Sequence, residues 1–150
     1  MDLNKAFLAA MATVVVGGLI ALQAPINSAL GKATGTFPAA AISFTVGTVL
    51  LVGIVMVTGE AGKVSGVTDV PAHYLIGGIL GACYVTTVLL TVRTLGAGGV
   101  TAATVAGQLT TSVVLDRIGF LGLDRVSISP GRVAGVLLLF AGTYLVIHAR

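Results

Sequence analysis

Four hydroxyls and one carboxamide, at Thr101, Thr104, Gln108, Thr111 and Ser112, recur along a stretch without formal charge. At about 100° per residue of an α-helix they fall within an arc of roughly 100°. Such a strip donates and accepts hydrogen bonds without carrying charge, which suits contact with a polar solute or a partner helix. Val105, Leu109 and Val113, mixed with Thr110, take the opposite side. Each hydroxyl also has a local outlet, because Ser and Thr can bond back to the carbonyl four residues earlier. That outlet does not serve Gln108, so the strip reads as a face turned toward a cavity or a neighbouring helix.

A second polar set lies in Leu22-Gln-Ala-Pro-Ile-Asn27-Ser28. Gln23 and Asn27 are four apart and share a helix face, and Pro25 between them removes a backbone donor. Gln23 lies about 8 Å past the middle of its apolar segment at the helical rise. Asn27 is nearer the segment's end, where a cap or an interfacial group is expected. Ser43 with Phe44, and Tyr84 with Thr87 and Thr91, add hydroxyls and rings to other apolar stretches. The candidate solute-binding set is therefore Gln23, Asn27, Ser43, Tyr84, Gln108 and Thr111.

Charge is scarce where it would matter most. No carboxylate lies at the centre of an apolar stretch, whereas a proton-coupled cation exporter generally needs one embedded in the membrane. Asp116 is the one candidate coupling group, and the adjacent Arg117 makes an interfacial ion pair its expected state. Arg93 reads as a flanking anchor. His73 and His148 stand at different segment ends with no cysteine or carboxylate near, so no metal site is expected. The single Cys83 excludes an intrachain disulfide and a cysteine-ligated metal. No nucleophile–base spacing or phosphate-binding loop is present, so neither an enzyme nor a cofactor is expected. The net charge of +3 comes without a basic cluster or base-stacking aromatics, which argues against nucleic acid.

The elements that must carry these groups are membrane helices. The uncharged runs are 6–30, 33–59, 74–92, 94–115 and 133–149, the last with His148 near its end. A helix needs roughly 20 apolar residues to cross a hydrocarbon core of about 30 Å. With 56% hydrophobic and 9% charged residues, the chain reads as one all-α membrane domain over 1–150. Its five spans are placed at approximately 6–30, 36–58, 73–92, 95–115 and 131–149. The first run reads as too long for a cleaved signal peptide and without a clear small-x-small cleavage site. Thr36-Phe-Pro38, Asp69-Val-Pro71 and Ser129-Pro130 each read as a helix start, with a capping side chain and a proline in the first turn. Residues 116–125 read as a short interfacial or re-entrant segment. Gly77 with Gly81, and Gly131 with Gly135, have the spacing of close helix packing in lipid.

Loop charges set the expected orientation. Lys5, Lys63, Arg117, Arg125 and Arg132 fall on the side of the N-terminus, against Lys32, Arg93 and Arg150 opposite. Five against three favours a cytoplasmic N-terminus, and so small a bias permits both orientations. An odd number of spans puts the termini on opposite sides, so two antiparallel copies form an inverted-topology pair. Transporters commonly place the solute near the midplane between such repeats. An in-plane twofold brings Gln23 of one copy toward the level of Gln108 of the other.

Several segments together resemble a known family. These are Leu22-Gln-Ala-Pro-Ile-Asn-Ser-Ala-Leu-Gly31, Ala41-Ile-Ser-Phe44, Gly78-Ile-Leu-Gly-Ala-Cys-Tyr-Val85, Ala106-Gly-Gln-Leu109 with Ser112, and Asp116-Arg-Ile-Gly-Phe-Leu-Gly122. They are similar to the YdcZ-type inner-membrane exporters of the drug/metabolite transporter superfamily. The resemblance covers nearly the whole chain. It implies a multi-pass protein of the bacterial inner membrane, with five helices equivalent to half of a ten-helix transporter, and antiparallel dimers as in other short superfamily members. It supplies no substrate. Compared with the small multidrug exporters, the first span here lacks a glutamate.

The expected function is alternating-access export of a small polar or amphipathic metabolite or drug-like solute. It would be performed by a homodimer, or by a pair with a related five-helix chain, in the lipid bilayer. Two other readings are a dual-topology channel, marked by single-channel current, and a lipid-handling or accessory membrane protein, marked by headgroup-dependent scrambling.

Overall fold

A computed structural model describes residues 3–149. Arg150, counted above among the loop charges, lies outside the described residues. Every regular element described is helical. Helix α1 spans Leu3–Thr34 and α2 spans Thr36–Val57. Between them stands Gly35 alone, at φ 94° and ψ 160°, a backbone conformation that glycine adopts and residues with a Cβ avoid. A continuous helical stretch, Ile76–Ile118, contains a second break of this kind at Gly96 (φ 68°, ψ 169°). It therefore comprises two helices, α3 (76–95) and α4 (97–118). Helix α5 spans Pro130–His148. The remaining connections are longer: 3-10 turns over Ala61–Asp69 and Ala72–Leu75 precede α3, and Phe120–Gly122 follows α4.

Among the described residues, four continuous apolar stretches are long enough to cross a membrane, and the third, Ala72–Ile118, has 47 residues. That is more than twice the roughly 20 residues a crossing needs, and the break at Gly96 divides it. The five helices match the expected architecture, and the first is longer at both ends than the 6–30 expected. The chain runs through Pro25 without leaving the helix.

Two of the three expected starts differ. At α2 the cap is Gly35, with no side-chain hydrogen bond, and Thr36 is already helical. Asp69 ends a 3-10 turn and Pro71 precedes another, so α3 begins only at Ile76. At α5 the expectation holds: Ser129 accepts a hydrogen bond from Arg132 N and Pro130 opens the helix. There the proline ring presets φ in the first turn, where no backbone donor is lost.

The chain packs as two compact units that divide between Arg93 and Thr94. In the first, α1, α2 and α3 meet around Ala39, Ala40, Val85 and Leu89, with Leu30 and Tyr84 packed against them. Gly31 permits this approach: a Cβ built there would lie 3.4 Å from Leu89 Cδ2, 3.5 Å from Arg93 Nη2 and 3.7 Å from Ala39 Cβ. In the second unit α4 and α5 pair antiparallel. Gly98 faces Val146, Gly99 faces Ile147, and Thr143 Oγ1 donates to Ala102 O across the helices at 3.1 Å. Of the four glycines expected at close helix contacts, Gly81 alone meets another helix, through the Phe44 ring. Gly77 and Gly135 meet nothing within 4 Å, and Gly131 meets only Ser129 of its own cap.

Candidate functional site

Helices α1 and α2 enclose a groove of about 210 Å³ lined by Gln23, Ser43, Phe44, Gly47, Thr48 and Leu51. Ser43, Gly47, Thr48 and Leu51 are spaced i, i+4, i+5 and i+8, one face of α2. Gln23 enters from α1. The groove thus brings together two of the six expected binding residues, Gln23 and Ser43. Thr48 was the missed member, and its signal was a second hydroxyl five residues after Ser43 in the same uncharged run. Phe44 is seated from behind: its Cζ lies 3.4 Å from the Cβ position of Gly81 on α3.

Neighbouring hydroxyls on α2 behave differently. Thr45 Oγ1 donates to Ala41 O at 2.9 Å, the local back-bond open to helical threonine. Ser43 and Thr48, which line the groove, make no hydrogen bond among the described residues, and neither does Gln23. All three lie within about 7 Å of the middle of their helices at 1.5 Å per residue.

Helix α4 repeats the pattern. Thr110, outside the expected strip, donates to Ala106 O at 2.7 Å. Thr101, Thr104, Gln108, Thr111 and Ser112 make no hydrogen bond among the described residues. Gln108, Thr111 and Ser112 are exposed, while the buried side of the helix is formed by Gly99, Val100 and Ala106. The back-bonding expected as the local outlet is therefore taken at Thr110 and left unused along the strip.

Asn27 and Tyr84 lie elsewhere in the first unit. Asn27 is 6% exposed and sits seven residues before the end of α1, so it is buried within the helix and is not a cap. Ala24, Asn27, Ser28 and Gly31, spaced i, i+3, i+4 and i+7, form the one buried face of α1. Tyr84 is partly buried against the Val85–Leu89 cluster.

The charged groups also differ from expectation. Asp116 pairs with Arg132 and not with its neighbour Arg117: Arg132 Nη1 donates to Asp116 Oδ2 at 2.9 Å, with both side chains about one-third exposed. Consecutive helix residues point about 100° apart, whereas the antiparallel α4–α5 pairing brings Arg132 alongside. The loop closes on the same residue, since Val126 N donates to Asp116 O at 3.0 Å. Arg93, read as a simple anchor, lays its guanidinium beside Gly31.

The comparison with known families bears on these helices as a set. A family model described as "Putative inner membrane exporter, YdcZ" matches residues 8–145. The chain belongs to this family. No curated protein and no solved structure matches it. Membership and the membrane-length helices make this YdcZ-family chain a multi-pass inner-membrane transport protein. The match spans both polar sets, from Gln23 and Ser43 in the first unit to Gln108 and Thr111 in the second.

Proposed function

We propose that this protein exports a small polar or amphipathic solute by alternating access, working as a dimer of oppositely oriented copies. One membrane domain of five helices supplies half of the pathway. The supporting observation is the set of uncharged hydrogen-bonding groups left without partners at membrane depth, in the α1–α2 groove and along α4. In hydrocarbon such groups cost free energy until something polar covers them. A second copy turned over by an in-plane axis would bring Gln108 and Thr111 to the level of Gln23 and Ser43 of the first. A solute would then complete the hydrogen bonds that neither copy satisfies alone. Asn27 and Tyr84, packed behind, would fix the helices that carry the groove. Asp116 would act through its ion pair with Arg132, coupling the state of the α4–α5 loop to transport. The loop charges favour a cytoplasmic N-terminus, with both orientations present in the membrane.

Cysteines at positions 23 and 108, in a Cys83→Ser background, test the pairing. Crosslinks between copies, together with labelling of both termini from each membrane face, are expected. Absence of any 23–108 crosslink between copies, in protein that still moves solute, would overturn it.

A further inference from the structure

We infer that the α1–α2 groove binds an uncharged, flat solute bearing an amide-type donor–acceptor edge. This rests on the transporter reading above and names the class of solute for that site. The first ground is electrostatic. None of the six lining residues is ionisable, and α2 carries no charged residue along its whole length. On α1 the charges nearest to Gln23 are Lys32 and Lys5, about 13 Å and 27 Å away along the helix. A charged solute entering here would lose its hydration with no countercharge to replace it, and an unpaired charge in a medium of low dielectric is strongly disfavoured.

The second ground is the kind of hydrogen bonding on offer. Gln23 presents one carbonyl acceptor and an amide donor side by side, which a carboxamide or lactam edge matches reciprocally. Ser43 and Thr48 add hydroxyls that donate or accept as required, and Thr45, which is spent on Ala41 O, stands outside the groove. The third ground is shape. Phe44 offers a ring backed by Gly81, and Gly47 leaves the floor without a side chain, with nothing within 4 Å of a Cβ placed there. A planar group can lie against the ring in an offset or edge-on arrangement. A volume of about 210 Å³ suits a single ring with one amide group.

Gly47→Cys, in the Cys83→Ser background, places a thiol on this floor without a clash. The full chain is held in lipid nanodiscs, and the rate of alkylation by a maleimide is measured with benzamide, benzoate or benzylammonium present. Benzamide at twice its dissociation constant is expected to slow alkylation about threefold, the factor 1 + [L]/Kd. The charged analogues should leave the rate unchanged, and Gln23→Leu should abolish the protection. A control thiol at Gly53, which faces away on α2, should not be protected, which separates binding from partition into lipid. Protection by benzoate or benzylammonium equal to that by benzamide would overturn the proposal, as would benzamide protection that survives Gln23→Leu or appears equally at Gly53. None of those results touches the 23–108 crosslink, so failure of the solute class and failure of the paired-copy reading are separately visible.

Discussion

Asp116 and Arg132 hold the α4–α5 connection from both ends, with 2.9 Å between carboxylate and guanidinium, while Val126 N closes the loop on the Asp116 carbonyl. A partly exposed pair of this kind contributes about 1 kcal/mol or less. Asp116→Asn and Arg132→Gln should each lower unfolding stability by about that amount, and the double variant should lose little more than either alone. Arg117→Gln should be nearly silent. Unfolding in mixed detergent micelles measures all four, and a coupling of Asp116 to Arg117 in place of Arg132 would reverse the assignment.

Gly96 carries the α3–α4 break at φ 68° and ψ 169°, a region occupied essentially by glycine alone. Gly96→Ala should cost on the order of 1–3 kcal/mol. Gly77→Ala, on an open helical face, should be neutral or slightly stabilising through helix propensity. Paired thermal melts of the two variants check the contrast.

Leu89, 1% exposed, is the largest fully buried side chain among the described residues. Leu89→Ala should destabilise the first unit by about 2–5 kcal/mol. Leu90, 57% exposed on the next position, should tolerate alanine with a loss below about 1 kcal/mol. Equal losses would mean that the Ala39–Leu89 cluster is not the centre of packing.

Thr143 bonds across to Ala102 O, so Thr143→Val should weaken the α4–α5 pair by about 0.6 kcal/mol. Gln108→Leu and Thr111→Val remove side chains that make no hydrogen bond among the described residues, and should leave stability within about 0.5 kcal/mol. Solute-induced thermal shifts should nevertheless disappear in Gln108→Leu. Stability losses there as large as at Thr143 would indicate a structural role for the strip.

The sequence alone determined that the chain is helical and lies in a membrane, because length, apolarity and the absence of charge act locally along each span. It also picked out Gln23, Ser43 and Gln108, since an uncharged polar group in an apolar run stands out wherever the chain folds, and the resemblance already pointed to the family. Only the tertiary structure decided which neighbours these groups meet. Asp116 passed over its sequence neighbour Arg117 for Arg132, because an antiparallel helix pair sets partners by facing position and not by adjacency. Thr48 joined Gln23 because α2 turns that face toward α1, and Asn27 went inside because it shares the packed face of α1 with Ala24, Ser28 and Gly31. Close contact settled at Gly31, Gly98 and Gly99, where the opposite helix supplies Leu89, Val146 and Ile147. Spacing along one helix says which residues share a face, but contact depends on a second surface that the first does not encode.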